Sequence, residues 1–169
     1  MKATYFIIAA ILAIGTLASC EKKDYLRGVS EMDHHYYAVF VPNNNTLVSV
    51  NRNQAALVKF PVQFYSTFTR DYDAVAKYAV VKTGIANPAV LGQDFAIVDK
   101  AGNVILTADS TYTMVFPKAV QAMDTIYVKL LNSATPGTRR IEIQLMENKN
   151  EKFYVDVFST AFRRPLEIK

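Results

Sequence analysis

Reactive side chains are few and scattered. The chain has one cysteine, Cys20, and two histidines, His34 and His35, which are adjacent. A lone thiol cannot close an intrachain disulfide or supply a multi-cysteine zinc site. Neighbouring residues on a strand point to opposite faces, so the two imidazoles are not placed to share a metal or a proton. Asp71, Asp73, Glu142, Glu147 and Asp156 could supply a carboxylate pair for glycoside hydrolysis only if folding brought two of them close. No serine-nucleophile elbow, His-Glu-x-x-His helix or phosphate loop accompanies them, so catalysis is not expected. Asp71 with Asp73, or Asp94 with Asp99, lacks the dense oxygen-ligand loop that a hard cation requires, and no metal or cofactor is implied. Tyrosine suits binding, because each ring offers a flat apolar body and a polar tip. Tyr36, Tyr37 and Tyr72 are the tyrosines taken as candidate ligand contacts, but the chain has no Trp, the commonest stacking residue of exposed sugar sites, and each tyrosine also suits strand packing. Arg139-Arg140 forms a basic doublet just after a turn, as Arg163-Arg164 does just before Pro165. Either doublet could dock an acidic glycan or protein.

Short strands must position these groups. The 169 residues are 51% hydrophobic and 20% charged, with six Gly and six Pro, which fits one packed domain and excludes collagenous or disordered classes. In residues 57–65, Val58, Phe60, Val62 and Phe64 alternate with Lys59, Pro61 and Gln63 at the period of a half-buried strand. Pro61 cannot donate to a ladder, which predicts an edge strand or a position turned toward solvent. Ile141, Ile143 and Leu145 alternate in the same way. They follow Ile126, Val128 and Leu130 across a link containing Pro136-Gly137, which predicts an antiparallel hairpin. A second hairpin is predicted where residues 94–98 and 103–107 flank Asp99-Lys100-Ala101-Gly102. Further strands are expected over 35–41, 72–82, 111–116 and 153–158. Eight or more such strands predict an all-β, antiparallel β-sandwich of immunoglobulin-like topology over residues 35–169. A net charge of +4 and a pI near 9.1 are too modest to imply nucleic acid.

The amino terminus predicts where this body is displayed. Lys2, an uncharged apolar run over residues 5–17 and Leu17-Ala18-Ser19-Cys20 follow in the order of a secretory signal peptide. The run is shorter than the roughly 20 residues of a transmembrane helix. Leu17-Ala18-Ser19-Cys20 resembles the lipobox of bacterial lipoproteins. That resemblance implies removal of residues 1–19, acylation of Cys20 and attachment to a membrane through lipid. Residues 20–34, beginning with the charged Glu21-Lys22-Lys23-Asp24, are expected to form a flexible tether. The charge cluster also resembles sorting signals for the outer membrane, so a lipid-anchored envelope protein is expected there.

Thr83-Gly84-Ile85-Ala86, Gly92-Gln93-Asp94-Phe95, Val115-Phe116-Pro117 and Thr125-Ile126-Tyr127-Val128, closed by Ile141, Ile143 and Leu145, resemble the Calx-β pattern over about half the chain. The resemblance implies a β-sandwich. Similar patterns occur in uncharacterised lipoproteins that accompany outer-membrane nutrient and glycan uptake systems. Extra residues between Ala86 and Gly92, Lys118 in place of a turn glycine, and Asn132-Ser133 in place of an acidic run depart from the family. Calcium binding is therefore not carried over. The functional expectation is a non-catalytic module that binds an envelope protein or glycan, with a structural or assembly subunit as the alternative and a small envelope hydrolase third.

Overall fold

A computed structural model describes residues 31–169. Cys20, the signal segment and most of the expected tether lie outside the described residues. Eleven strands appear among those described: β1 (His35–Phe40), β2 (Val48–Val50), β3 (Val58–Tyr65), β4 (Ala74–Val81), β5 (Phe95–Val98), β6 (Thr111–Phe116), β7 (Ala122–Leu130), β8 (Arg139–Met146), β9 (Asn148–Lys149), β10 (Tyr154–Val157) and β11 (Arg163–Ile168). They form two sheets, β5-β7-β3-β1-β10-β9 and β2-β11-β8-β4-β6. The fold is the expected all-β sandwich. Its ladders are antiparallel except β1–β10 and β2–β11, which are parallel.

Alternation builds the core. Val58, Phe60, Val62 and Phe64 of β3 face inward, as do Ile141, Ile143 and Leu145 of β8, all 5% exposed or less. Phe64 of the first sheet stacks on Phe116 of the second, with ring centroids 4.5 Å apart. Burial of these side chains, at roughly 1.5–3 kcal/mol each, is the main force holding the sheets together.

Three expectations are corrected. β3 is an interior strand, with β1 on one side and β7 on the other. Pro61 is tolerated there because its carbonyl accepts the Val41 N–H at 2.9 Å just past the end of β1, so its missing donor faces the place where that ladder stops. β7 and β8 are not a hairpin. They belong to different sheets, and residues 131–138 carry the chain across the sandwich. Two strands that each bury alternate residues satisfy the same pattern whether they pair or face each other. The predicted hairpin around Asp99 is only a stub. Val98 bridges Val104 and Ile105 N–H reaches Ile97 O at 2.9 Å, but no second strand follows, and Leu106 is 88% exposed.

The residues resembling Calx-β do the local work expected of them. Gly92 takes a φ of +82° in the turn, Asp94 accepts the Val90 N–H at 2.7 Å, and fully buried Phe95 opens β5. Lys118, standing where glycine is usual, keeps the left-handed conformation at φ +53°, and the Asp73 carboxylate accepts its N–H at 2.9 Å.

Candidate functional site: a polar cleft where the chain enters the sandwich

Register places the first residues of β1, β4 and β10 and the last residues of β3 and β8 at one end of the sandwich. There residues 31–34, the 66–73 loop and the β9–β10 turn meet. Between them lies a cleft of about 580 Å³, bordered by Asp33, His34, Asp71, Tyr72 and residues 149–154. That volume is within the range of small-ligand sites, roughly 300–1,000 Å³.

The last residues of the expected tether are fastened to the body. Glu31 Oε1 accepts the Phe68 N–H at 2.9 Å, the Ser66 hydroxyl at 3.2 Å and the Thr67 N–H. Arg70 Nη2 donates to Glu31 O at 2.7 Å, and Arg70 Nε donates to the Tyr36 hydroxyl at 3.0 Å. Desolvation pushes the Glu31 carboxyl up, but the Thr67, Phe68 and Ser66 donors outweigh it and hold its pKa below the usual 4.5. A depressed carboxylate stabilises the fold above its unfolded pKa and loses that contribution as pH falls through the folded value. Glu31→Gln is therefore expected to cost about 1 kcal/mol at neutral pH. Melting curves of the variant and the native chain should converge below the ordinary glutamate range; an equal deficit at pH 3 would refute the assignment.

Tyr72 forms one wall of the cleft. Its hydroxyl lies 2.5 Å from His34 Nδ1 and 2.7 Å from the Tyr36 hydroxyl, and its ring stacks between those of His34 and Phe153, with centroids at 5.5 and 5.8 Å. Desolvation, then the bond to Tyr36, raises its pKa well above the ordinary phenol value, so the hydroxyl stays protonated. The β9–β10 turn is shaped by Asn150, whose side-chain Oδ1 accepts the N–H groups of Lys152 at 2.8 Å and Phe153 at 2.9 Å. It presents Lys149, Asn150, Glu151 and Lys152 on the rim. Sequence reasoning missed this turn as a site, although the Asn-Glu-Lys run before Phe153 is a turn signal.

Folding joins two of the candidate tyrosines and separates the third. Tyr36 is only 1% exposed and reaches the cleft through its hydroxyl bond to Tyr72. Tyr37 lies on the outer face of the first sheet, in a ring ladder with Phe158 at 4.7 Å and His35 at 4.9 Å; His35 in turn stacks on Tyr154 at 4.5 Å. Because these rings turn their faces to one another, the ladder offers solvent ring edges and hydroxyls, not an open stacking platform. His35 Nε2 lies 3.1 Å from Asp156 Oδ2, away from the His34–Tyr72 contact. The Tyr154 phenol is pushed up to about 12, first by its hydrogen bond to Glu147, then by desolvation and the Asp156 charge.

Arg139 and Arg140 start β8, at the opposite end of the second sheet. Arg140 Nε donates to Glu167 Oε2 at 2.8 Å and its Nη2 contacts the same oxygen; Arg139 Nε is buried and has no hydrogen-bond partner among the described residues. Of the acids considered for hydrolysis, Asp71 borders the cleft, Asp73 holds the Lys118 turn and Glu142 lies 3.7 Å from Arg163 on the second sheet, while Glu147 and Asp156 both act on the Tyr154 phenol. Among the described residues, no three His, Cys, Asp or Glu side chains are grouped to hold a metal ion.

No family model and no curated protein matches the sequence. Among solved structures, the apo-form Calx CBD1 domain is similar with a TM-score of 0.52 at 15% identity, over 79% of this chain and 95% of that one. CBD12 from CALX1.2 gives a TM-score of 0.48 at 16% identity, over 78% of this chain and 44% of that one. The likeness to CBD1 is one of fold: the chain is a Calx-β-like sandwich, as the order of the segments between Thr83 and Leu145 implied.

Proposed function

We propose that this chain is a non-catalytic lipoprotein of the cell envelope, held at the outer membrane by acyl groups on Cys20. Its sandwich binds a protein or glycan partner through the cleft at the tether end, as an accessory to an uptake complex. The cleft carries this reading. Asp33, Asp71 and Glu151 supply acceptors, Lys149, Lys152 and Asn150 supply donors, and Tyr72 and Phe153 supply apolar surface. A hydroxyl-rich or zwitterionic ligand needs that combination. Binding is favoured over catalysis because the hydroxyl of Tyr72 is held protonated and the side chains of His34, Tyr72 and Tyr36 are committed to one another.

The test is retention of the full-length protein on immobilised polysaccharides and recovery of an outer-membrane transporter with it. Asp71→Ala with Lys152→Ala is expected to weaken either association about tenfold, the effect of roughly one charge-assisted hydrogen bond. Neither residue is packed in the core, so the melting temperature should hold. Full binding by the double variant would remove the cleft from the reading, and no association of either kind would end it.

A second reading, assembly through strand edges, is favoured by one observation. Among the described residues β6 has β4 on one side and no neighbour on the other, while Val104, Ile105 and Leu106 are 56%, 39% and 88% exposed beside β5. High-mass ladders on native gels would support it.

A further inference from the structure

The two ends of the sandwich differ in charge. At the tether end, segments 31–34, 66–73, 117–121 and 147–153 contain six acidic and four basic residues. At the far end, segments 41–57, 82–94, 107–110, 131–140 and 166–169 contain Arg52, Lys82, Arg139, Arg140 and Lys169 against Asp94, Asp109 and Glu167. Asp94 and Glu167 are buried, at 4% and 6% exposure, and both are consumed internally. Asp94 accepts the Val90 N–H, and Glu167 accepts from Arg140, from Ser49 at 3.1 Å and from Lys169 at 3.3 Å. Asp109 is exposed just before β6, and Glu142, beside Arg163, is 21% exposed and lines a depression with Arg140, so at the far end the cations outnumber the carboxylates that reach solvent.

That surface is built, not a chance scatter of lysines. The buried Glu167 carboxylate holds two cations whose side chains remain 56% (Arg140) and 57% (Lys169) exposed. The Arg140 backbone is fixed to the neighbouring loop, accepting the Ala89 N–H at 2.9 Å and donating to Asn87 O at 3.1 Å. Arg140 stands between two adjoining depressions of about 390 and 270 Å³, which share it and Ala86. Arg52 ties two further segments together by donating to Ser133 O at 3.3 Å and Gly137 O at 2.7 Å in one and to Lys169 O at 3.2 Å in the other. Gln93 Nε2 adds a bond to Thr135 Oγ1 at 3.0 Å. Loops linked in this way lose little further entropy when a partner docks.

We infer that this far end is a docking face for an acidic protein surface with apolar residues among its carboxylates. Charge complementarity sets the sign of the partner. The apolar component follows from Leu47, which lines the larger depression with Arg140, and from Val90 and Leu131, which are both bonded to Asp94; the three are 45%, 42% and 37% exposed. Arginine interleaved with exposed aliphatic groups is the composition of a protein interface. A sugar face would call for an aromatic platform, and neither depression is lined by an aromatic residue. The face is separate from the cleft and does not depend on it.

The test uses the full-length lipoprotein in detergent and a fluorescent peptide in which Glu and Asp alternate with Leu and Val. Controls are the same peptide with its acids changed to Gln and Asn, polygalacturonate, and phosphatidylglycerol vesicles. The acidic peptide is expected to bind, to lose affinity as salt rises, and to lose at least tenfold in Lys169→Gln and in the double variant Arg140→Gln/Glu167→Gln. The double variant removes the buried acid together with Arg140, and the second partner, Lys169, is 57% exposed and solvated, so no buried charge is left unpaired to unfold the protein. Lys118→Gln, which removes one positive charge at the tether end, should leave binding unchanged. Equal losses in Lys118→Gln and Lys169→Gln would reduce the effect to net charge and overturn the inference. Tighter binding to polygalacturonate or to the vesicles, or no binding of the peptide, would overturn it as well.

Discussion

Replacing Cys20 with Ala is expected to move the protein from the membrane fraction to the soluble envelope fraction, the largest functional change that one substitution in this chain should produce. In the proposed lipoprotein the sandwich is water-facing, and acyl groups alone supply membrane affinity. Each buried methylene contributes about 0.8 kcal/mol, so two or more chains make release very slow while a protein without them has almost no residence time. Labelling cells with a fatty-acid analogue should mark the native chain and leave Cys20→Ala unlabelled. Native protein that stays unlabelled, or a variant that remains membrane-bound at high salt, would refute the anchor. External protease acting on intact cells would then show on which face of the membrane the sandwich is displayed.

Arg164→Ala is expected to lower stability by about 3 kcal/mol. Arg164 is 4% exposed, donates from Nη1 to Asn44 Oδ1 at 2.8 Å and from Nη2 to the Pro42 carbonyl, and lies 5.2 Å over the Phe40 ring. Burial lowers the pKa of its guanidinium, so the charge is held at a cost that these acceptors and the ring offset. Truncation removes two hydrogen bonds from a charged donor, at about 1.5–3 kcal/mol apiece, and an apolar stem, although Asn44 Oδ1 keeps the Thr46 N–H and the Pro42 carbonyl keeps the Asn44 N–H. For a chain of this size the loss corresponds to a fall in Tm of roughly 6–12 °C. Arg163 is the internal control: its side chain is 46% exposed and 3.7 Å from Glu142, and such surface pairs contribute about 0–1 kcal/mol. Thermal melts in which Arg163→Ala and Arg164→Ala fall equally would show that burial is not what distinguishes them.

The Arg163-Arg164 doublet illustrates where sequence reasoning stops. Read along the chain, two arginines before Pro165 suggest a solvated edge; in the fold they open β11, and only one of them is exposed. Phe162 O accepts the Leu145 N–H, so the alternation of the β8 ladder turns the N side of Pro165 toward β2, which begins only opposite Leu166. Neither that register nor the Asn44 partner, 120 residues away, has a local signature. β3 and β8 were legible because a period of two needs only neighbouring residues to be seen. The sheet each strand joined was not, since β7 and β8 show the same alternation whether they pair or pack face to face. The site follows the same division. Tyr36 and Tyr72 could be singled out by residue type, but their hydroxyl contact depends on β1 and the 66–73 loop meeting at one end. The rest of the cleft comes from a short turn around Asn150 with no apolar period to announce it.

The position of β1 has a mechanical consequence. It is the first strand among the described residues, and it lies inside its sheet with β3 and β10 on its two sides. Tension arriving from the amino terminus pulls it along its own axis, so both ladders are loaded in shear and must slip together instead of unzipping one bond at a time. The Glu31 and Arg70 bonds stand ahead of it as the first links to bear load. A domain towed by that end would resist extraction at a force set by its unfolding rate, not by its equilibrium stability.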